Sequence, residues 1–333
     1  MEDLGRFLGL VAEEAGTPAR FIEIGEEDLG EGDVLIEIMR SSLNYKDGLA
    51  ATATAPILRR YPSVIGIDLA GRVRSGGDSG LQPGDEVLVA GSGLGEEHPG
   101  GYTRFARVPS SWCVRLPTGL DAEGAMTLGT AGLTAMLACM ALERNGNTPE
   151  SLGELPVLVT GAAGGVGSIA IAVLSRLGYR VVALTGRSQE SDYLQQLGAD
   201  RVVPREALAA GRGPLSSAEY GAAIDVVGGS TLAELLRRIA PHGTVAACGL
   251  AGGADLSSTV YPFILRGVTL AGVNSVHPPG EAREAAWSRL AALLPGEVLD
   301  LLGRVEPLSK VPELAPEVLA GRIRGRVVLD VTA

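Results

Sequence analysis

The segment that most constrains the fold is a glycine-rich turn between an apolar run and a helical pattern, VLVTGAAGGVGS at residues 157–168. Against the GxGxxG pattern of dinucleotide-binding turns, it aligns Ala162, Gly164 and Gly167. The second of these positions lets the backbone approach a pyrophosphate, and the third lets helix and strand pack closely. The start of the helix supplies free N–H groups. We therefore predict cofactor contacts from Ala163, Gly164, Gly165, Val166 and Gly167.

The end of the next predicted strand distinguishes between the two nicotinamide dinucleotides. NAD-preferring folds place an acidic residue about 20 residues past the turn, where it holds the ribose 2′-hydroxyl. This chain has Thr185, Gly186, Arg187 and Ser188 there, and no carboxylate. A guanidinium binds a 2′-phosphate through two aligned hydrogen bonds, so NADPH is favoured over NADH. We predict cofactor contacts from Thr185, Gly186 and Arg187. Arg201 is expected to reach the same phosphate or to cover the adenine; the alternative is a solvated surface arginine.

The pattern around the turn alternates strands with helices. Strands are predicted at 156–160, 180–184, 201–203, 223–227, 244–247 and 268–273, and helices at 165–177, 189–197 and 231–239. This alternation predicts a doubly wound parallel sheet, which is the Rossmann architecture.

The flanking sequence predicts a second, β-rich domain. Short strands separated by turns are expected before residue 124, at 33–39, 64–73 and 86–90. A strand at 326–331 has no helix after it and is expected to return to this domain. We predict a substrate domain of residues 1–124 and 299–333 and a cofactor domain of residues 125–298, with a buried helix at 125–143 at their junction.

Composition excludes several classes of protein. The net charge of −11 argues against a nucleic-acid partner, because phosphate binding needs a basic face. No apolar run reaches the roughly 20 residues of a membrane span, and the N-terminus begins acidic, so we expect no membrane partner and a cytoplasmic location. Cys113, Cys139 and Cys248 lie far apart, which argues against a disulfide framework and a zinc ribbon.

Five stretches together resemble one protein family. They are SLNYKD at 42–47, GIDLAG at 66–71, GDEV at 84–87, LGTAG at 128–132 and AAGGVGS at 162–168. With them the chain resembles the zinc-free quinone oxidoreductases of the medium-chain dehydrogenase/reductases, and most closely their acryloyl-CoA reductase branch. The resemblance runs from about residue 32 to the C-terminus. It implies an α/β protein with a GroES-like, β-rich substrate domain plus a doubly wound Rossmann domain that binds NADP(H).

The resemblance also indicates that the parts of a catalytic zinc site are missing. Zinc alcohol dehydrogenases of this superfamily carry a cysteine where Asn44 and Tyr45 stand, and Gly-His-Glu where residues 66–68 read Gly-Ile-Asp. The three histidines are scattered in sequence, so we expect no metal. Oxidation of a plain alcohol then lacks its usual activator. Reduction of an activated C=C bond or a quinone needs only hydride, a proton and stabilisation of an enolate-like oxygen.

The polar cluster at residues 44–47 supplies the candidate catalytic residues. In the resembling family this segment borders the nicotinamide, so Tyr45 is expected to contact the nicotinamide ribose or to donate a proton. Asn44 is expected to hydrogen-bond a carbonyl, and Asp47 to pair with Lys46 or to orient the tyrosine. The alternative for Asn44 and Asp47 is that they cap the helix that follows.

Further assignments come from the resemblance and from spacing. By resemblance, Leu250, Ile264 and Ser275 would touch the nicotinamide side of the cofactor; the alternative is ordinary core or loop packing. Arg322, Arg324 and Arg326 stand at a spacing of two, which on a strand gives one basic face. That face could attract an acyl-CoA phosphate, but a solvated charged face is the favoured interpretation.

These features together predict an NADPH-dependent oxidoreductase. The expected reaction is reduction of the C=C bond of an α,β-unsaturated carbonyl, with an acryloyl-CoA-type thioester as the leading substrate and a quinone as the second. A non-catalytic NADPH-binding sensor or structural protein is the alternative of another class. Because residues 268–273 are apolar and late in the sheet, they predict an exposed edge strand and a homodimer that pairs along it.

Overall fold

The computed structural model describes residues 4–208 and 213–333, which form two units. Unit 1 comprises Met1–Thr130 and Leu302–Ala333, and unit 2 comprises Ala131–Leu301. The unit boundaries therefore differ by a few residues from those expected after 124 and 298, because elements that cross the expected boundaries continue beyond them. Residues 1–3 and 209–212 of the two predicted domains lie outside the described residues.

Secondary structure covers most of both units. The strands are β1 Phe7–Ala12, β2 Arg20–Ile24, β3 Val34–Ser42, β4 Ser63–Val64, β5 Asp68–Ser75, β6 Glu86–Ala90, β7 Phe105–Val108, β8 Val114–Arg115, β9 Val157–Val159, β10 Val181–Thr185, β11 Arg201–Pro204, β12 Ala222–Asp225, β13 Thr244–Ala247, β14 Thr269–Gly272, β15 Gly303–Pro307 and β16 Arg326–Asp330. The helices are α1 Tyr45–Thr52, α2 Ala122–Arg144, α3 Pro149–Leu152, α4 Gly165–Arg176, α5 Ser191–Gln196, α6 Gly229–Leu236, α7 Tyr261–Arg266, α8 Gly280–Leu293, α9 Gly296–Leu302 and α10 Val311–Leu319.

Unit 2 is built on a six-stranded parallel sheet in the order β11-β10-β9-β12-β13-β14. The inner strands β9, β10 and β12 are buried at every residue, as expected for a parallel sheet that is covered on both faces. Strand order reverses between β9 and β12, and ligands of open α/β sheets bind outside the carboxyl ends of strands at such a point. The prediction of a doubly wound Rossmann sheet is confirmed.

Unit 1 contains two mostly antiparallel sheets. One has the order β2-β1-β4, and the other runs β15-β16-β3-β5-β6-β8, with β7 paired to β3. Strand β16 pairs with β3 through Val328 and Ser42, so the C-terminal strand returns to this unit as predicted. The single strand expected at 64–73 is divided into β4 and β5, because Gly66 has a φ of 105° and turns the chain between them.

Helix α2 is longer than the sequence predicted and bends at Gly129. By length and composition alone, this 23-residue helix is long and apolar enough to cross a membrane. This corrects the expectation that no apolar stretch reaches the length of a membrane span. The most apolar window of the helix is 89% buried, as in the core helix of a folded domain. Gly129 has φ 51° and ψ −153°, a conformation outside the helical region, and Thr130 after it is the last residue of this part of unit 1.

Candidate functional site

The turn between β9 and α4 fits a dinucleotide pyrophosphate. Gly161 has a φ of 57°, which favours glycine. A Cβ at Gly167 would lie 2.5 Å from the carbonyl oxygen of Gly161, so only glycine allows this close packing of helix against turn. The 12-residue helix α4 follows Gly164 and offers its free N–H groups at the carboxyl end of β9. The five predicted contact residues, Ala163 to Gly167, form this turn and the first residues of the helix.

The carboxyl end of β10 carries no acidic side chain. Thr185 is its last residue and is buried, and its hydroxyl accepts a 3.0 Å hydrogen bond from the backbone N–H of Arg187. This bond shapes the turn through Gly186, and Arg187 is half-buried there. The position that would hold a ribose hydroxyl in an NAD-preferring protein is therefore occupied by a basic residue.

A second arginine, which sequence reasoning missed, lies at the same turn. In the parallel pairing of β10 with β11, Thr185 is level with Pro204, so the next residues along each strand are Gly186 and Arg205. A Cβ at Gly186 would lie 2.9 Å from Nη2 of Arg205. Within residues 4–208 and 213–333, the guanidinium of Arg205 makes no hydrogen bond or ion pair, so it is available to a ligand.

The same register moves Arg201 away from this position. Arg201 is level with Val182, three residues before Thr185. At about 3.3 Å per residue, its backbone lies roughly 10 Å from the end of β10. Arg205 therefore lies nearer to the phosphate position than Arg201, and the contact of Arg201 with the phosphate or the adenine stays a prediction. The sequence signal for Arg205 is its position directly after Pro204, the last residue of β11. That signal is useful only when the register of β11 with β10 is known.

Three further predicted cofactor residues follow β13 in the chain: Leu250, Ile264 and, after β14, Ser275. An open cavity of about 460 Å³ is lined by residues that follow these strands, among them Cys248, Leu250, Val273 and Asn274. Leu250 is 64% exposed at its rim, and Ser275 accepts a 2.8 Å hydrogen bond from the Thr134 hydroxyl. Ile264 on α7 is 69% exposed, so core packing does not apply to Leu250 or Ile264, whereas loop packing stays an alternative.

In unit 1, Asn44 and Asp47 form a buried capping pair at the start of α1. The Asp47 carboxylate accepts hydrogen bonds from the backbone N–H of Asn44 at 2.8 Å and from the backbone N–H of Ile67 at 2.9 Å. The Asn44 amide donates to Asp47 at 3.0 Å and to Asp68 at 2.8 Å. Because both amide hydrogens already point to carboxylates, Asn44 has no donor left for a substrate carbonyl. Asn44 and Asp47 therefore cap the N-terminus of α1, which is the alternative that the sequence left open.

The electrostatics of this pair follow from burial. Asp47 is 1% exposed, and burial together with the nearby Asp68 carboxylate raises the pKa of Asp47 to about 7. Burial and the same two carboxylates also raise the pKa of Tyr102, whose hydroxyl donates a 3.0 Å hydrogen bond to the carbonyl oxygen of Ser42. The expected pairing of Asp47 with Lys46 is wrong, because Nζ of Lys46 lies 2.8 Å from Oε1 of Glu96.

Tyr45 differs from its neighbours in being accessible. It is the first residue of α1 and is 42% exposed. Across the part of the chain that the structure describes, its hydroxyl makes no hydrogen bond. Within the 44–47 segment, Tyr45 is therefore the residue whose polar group can meet a cofactor or substrate.

The predicted basic face near the C-terminus does not form. Strand β16 begins only at Arg326, which is 4% exposed and points into the protein. Arg322 lies before the strand and pairs with Glu317 at 2.6 Å. Arg326 instead donates to the Ser42 hydroxyl at 2.8 Å, to the Leu43 carbonyl at 3.0 Å and to the Thr127 carbonyl at 3.1 Å.

Residues 4–208 and 213–333 hold no group of three or more His, Cys, Asp and Glu side chains that could bind a metal ion. Burial raises the pKa of the Cys248 thiol to about 12, so this cysteine beside the cavity is protonated at neutral pH.

Two family models match the chain. The alcohol dehydrogenase GroES-like domain matches residues 30–118, and the zinc-binding dehydrogenase domain matches residues 165–292. The acrylyl-CoA reductase AcuI of Ruegeria pomeroyi is 47% identical over 96% of this chain and 97% of its own length.

Solved structures show the same similarity. Escherichia coli K-12 YhdH with bound NADPH superposes with a TM-score of 0.93 at 46% identity, covering 98% of this chain and 99% of the other. Bacillus subtilis YhfP with NAD bound superposes with a TM-score of 0.92 at 44% identity, with coverages of 98% and 99%. The match therefore extends over both units, and the two proteins were crystallised with different dinucleotides.

Proposed function

The chain belongs to the acryloyl-CoA reductase-like branch of the medium-chain dehydrogenase/reductases, and on that premise we propose that it is an NADPH-dependent reductase of activated C=C bonds. The observation that carries the proposal is the end of β10, where Arg187 follows Gly186, Arg205 lies beside it, and residues 185–188 hold no carboxylate. A carboxylate would repel a 2′-phosphate, whereas guanidinium groups bind it. The NADPH-bound E. coli structure supports the same cofactor.

The proposed substrate is an acryloyl-CoA-type thioester. Bound NADPH supplies the hydride, which adds to the β-carbon while a proton adds to the α-carbon, so that acryloyl-CoA becomes propionyl-CoA and NADP⁺ is released. The name of the R. pomeroyi relative supports this substrate class. A quinone is the second candidate, because it too is a conjugated carbonyl that accepts a hydride.

Tyr45 is the residue to which we assign direct contact with the reacting groups. Its hydroxyl has no hydrogen-bond partner among the described residues and its side chain is accessible, whereas Asn44 and Asp47 are engaged with each other. A phenol at this place is suited to hydrogen-bond the nicotinamide ribose or to deliver the proton. Tyr45→Phe keeps the ring and separates these polar roles from packing.

A substrate panel tests the proposal. NADPH oxidation is followed with acryloyl-CoA, crotonyl-CoA and a benzoquinone, and the acryloyl-CoA reaction is repeated with NADPH deuterated at the transferable C4 position. We expect turnover with acryloyl-CoA, and propionyl-CoA with one deuterium at C3. Faster turnover with the quinone would favour the second candidate. Binding of NADPH without turnover of any acceptor would favour a non-catalytic NADPH-binding protein.

The assembly and location of the protein are part of the proposal. Strand β14 is an edge strand with half-buried Leu270 and Ala271, and the helix before it in the chain, α7, exposes Ile264 and Leu265. An uncovered edge of this kind pairs readily with its own copy, so we propose a homodimer with a continuous sheet. We also propose a cytoplasmic location, where NADPH and acyl-CoA thioesters are both at hand.

A further inference from the structure

Asp68 stands at the centre of a buried hydrogen-bond cluster in unit 1. Its carboxylate is fully buried and accepts hydrogen bonds from the Ser42 hydroxyl at 2.6 Å, the Asn44 amide at 2.8 Å and the Thr130 hydroxyl at 2.6 Å. The backbone N–H of Thr130 also donates to it, at 3.0 Å. The carboxylate thus joins the end of β3, the start of α1 and the bend in α2. We call these residues, together with Arg326, the Asp68 cluster.

Arg326 balances the charge of the cluster from the C-terminal strand. Its Nη2 lies 4.0 Å from Oδ2 of Asp68, and the Ser42 hydroxyl bridges them by accepting from the arginine and donating to the carboxylate. Removal of one member of a buried ion pair leaves an uncompensated charge away from water, which destabilises a protein more than loss of the pair as a whole. Asp68 and Arg326 therefore depend on each other.

The bend in α2 is shaped around this cluster. A Cβ at Gly129 would lie 2.6 Å from Oδ2 of Asp68 and 3.1 Å from Nη2 of Arg326, so glycine is required for the helix to pass this close. The non-helical conformation of Gly129 deprives Thr130 of an ordinary helical acceptor, and Asp68 supplies one. Asp68 therefore acts as a cap for the second half of the helix.

The cluster also fixes the backbone on both sides of Tyr45. Before it, the Leu43 carbonyl accepts from Arg326 at 3.0 Å, and the Leu43 N–H donates to the Val327 carbonyl at 2.9 Å. After it, Asp47 accepts a 3.0 Å hydrogen bond from the side-chain amide of Asn44, a member of the cluster. Tyr45 itself is exposed, so its orientation depends on these flanking attachments.

From this arrangement we propose that Asp68 and Arg326 are positioning residues, which hold Tyr45 in the orientation that the reaction requires. The catalytic consequence rests on the proposed function; the structural consequence does not. Neither residue contacts substrate or cofactor in this role, since both are buried behind the 43–47 segment. Their effect on the reaction is exerted through the backbone that carries Tyr45.

The test compares full-length Asp68→Asn, Arg326→Met and the double variant Asp68→Asn/Arg326→Met with wild type. The matched control is Arg289→Met, which breaks the partly buried Arg289–Glu143 ion pair of unit 2. One readout is the split between kcat with acryloyl-CoA and the Kd for NADPH. The other is the ¹⁹F spectrum of protein labelled with 3-fluorotyrosine at position 45, which does not depend on activity.

We expect both single variants to lower kcat at least tenfold while the Kd for NADPH changes less than threefold, and to shift or broaden the ¹⁹F line of residue 45. The double variant should recover part of the lost stability, since neither partner of the Asp68–Arg326 pair is left alone, but it should not recover kcat or the wild-type ¹⁹F line. Arg289→Met should change neither readout. If a single variant fails to fold, Thr130→Val removes one hydrogen bond to Asp68 at little steric cost, and a smaller change of the same kind is expected.

A purely structural role would leave folded variants with wild-type kcat and an unchanged ¹⁹F line, and either result would overturn the inference. Wild-type protein that reduces none of the acceptors would instead contradict the proposed function. In that case the ¹⁹F comparison alone decides whether Asp68 and Arg326 position Tyr45.

Discussion

The guanidinium of Arg205 lies against the backbone of Gly186, with Nη2 2.9 Å from the point that a Cβ at residue 186 would occupy. The contact arises because the parallel register sets the ends of β10 and β11 level with each other. Arg187 follows Gly186 directly, so two arginines flank one glycine at the place where a ribose 2′-substituent is read. The second of them is 18 residues further along the chain, and only the strand pairing brings it there.

Arg205→Ala is expected to weaken NADPH binding roughly ten- to a hundredfold, because a hydrogen bond to a charged group contributes about 1.5–3 kcal/mol. Binding of NADH, which lacks the phosphate, should change little. Fluorescence titration with both cofactors measures the difference. Arg201→Ala is the matched comparison, and it should weaken NADPH binding less than Arg205→Ala does. A larger loss from Arg201→Ala than from Arg205→Ala would contradict the register argument.

Arg187→Ala is also expected to weaken the binding of NADPH much more than the binding of NADH. The maximum rate with saturating NADPH should stay near wild type, because the phosphate is remote from the hydride and contributes mainly uniform binding. Arg187→Asp should restore an acceptor for a ribose hydroxyl and move the preference towards NADH. Equal weakening of both cofactors by Arg187→Ala would show that this residue does not read the 2′-phosphate.

Local signals allowed the cofactor turn to be predicted from the sequence. The apolar run, the glycines and the start of the following helix lie within 12 consecutive residues, and the structure has the predicted strand, turn and helix there. Glycine was required at Gly161 and Gly167 for reasons that act over a few residues. The doubly wound sheet followed from the same kind of local alternation.

Long-range pairing limited what the sequence could predict for the rest of the site. Arg326 and Ser42 are 284 positions apart, and nothing in either local pattern indicates that they form a hydrogen bond. The spacing of Arg322, Arg324 and Arg326 suggested a strand face, but the strand begins only at the last of them. Arg205 was missed for the same reason, since its position depends on the register of β10 with β11.

Metal content is a direct test of the missing zinc ligands. Asn44 and Asp68 are hydrogen-bonded to each other at 2.8 Å, an arrangement in which the amide satisfies the carboxylate without a metal ion. We expect purified protein to carry no stoichiometric zinc and to keep its activity in a chelator. Elemental analysis measures the first and NADPH oxidation in EDTA the second. About one tightly bound zinc per chain would contradict the prediction that this chain lacks a catalytic zinc site.

The edge of β14 makes the homodimer testable with one substitution. The N–H groups of Thr269 and Val273 point towards β13, so the alternate N–H of Gly272 faces the open edge. Gly272→Pro removes that donor and should shift the dimer towards monomer in light scattering. Gly272→Ala keeps the donor and adds a Cβ where nothing lies within 4 Å, so it should remain dimeric. Wild-type protein that is monomeric at micromolar concentration would contradict the proposed assembly.

Burial and the Asp68 carboxylate favour the neutral form of Asp47. It is almost fully buried, the Asp68 carboxylate lies close by, and Tyr102 and Arg326 complete the charged and titratable groups that surround the two acids. The hydrogen bonds from Asn44 and Ile67 stabilise the carboxylate, but burial outweighs them, so the pKa of Asp47 rises to about 7. An unfolded chain leaves the same group near an ordinary pKa of about 3.9.

The free energy of unfolding should therefore depend on pH through the titration of Asp47. Between about pH 4 and 7 the folded protein holds a proton that the unfolded chain has released, so this residue makes the protein less stable as the pH rises through that window, by up to a few kcal/mol, with no further change above it. Urea unfolding of wild type and Asp47→Asn at several pH values measures the effect. The wild-type curve should fall more steeply between pH 4 and 7, even though Asp47→Asn loses part of the cap and is less stable at low pH. Gln195→Ala, exposed on α5, changes no ionisable group and should give a curve parallel to wild type. If Asp47→Asn also runs parallel to wild type, Asp47 is ionised throughout this range and its pKa is not raised.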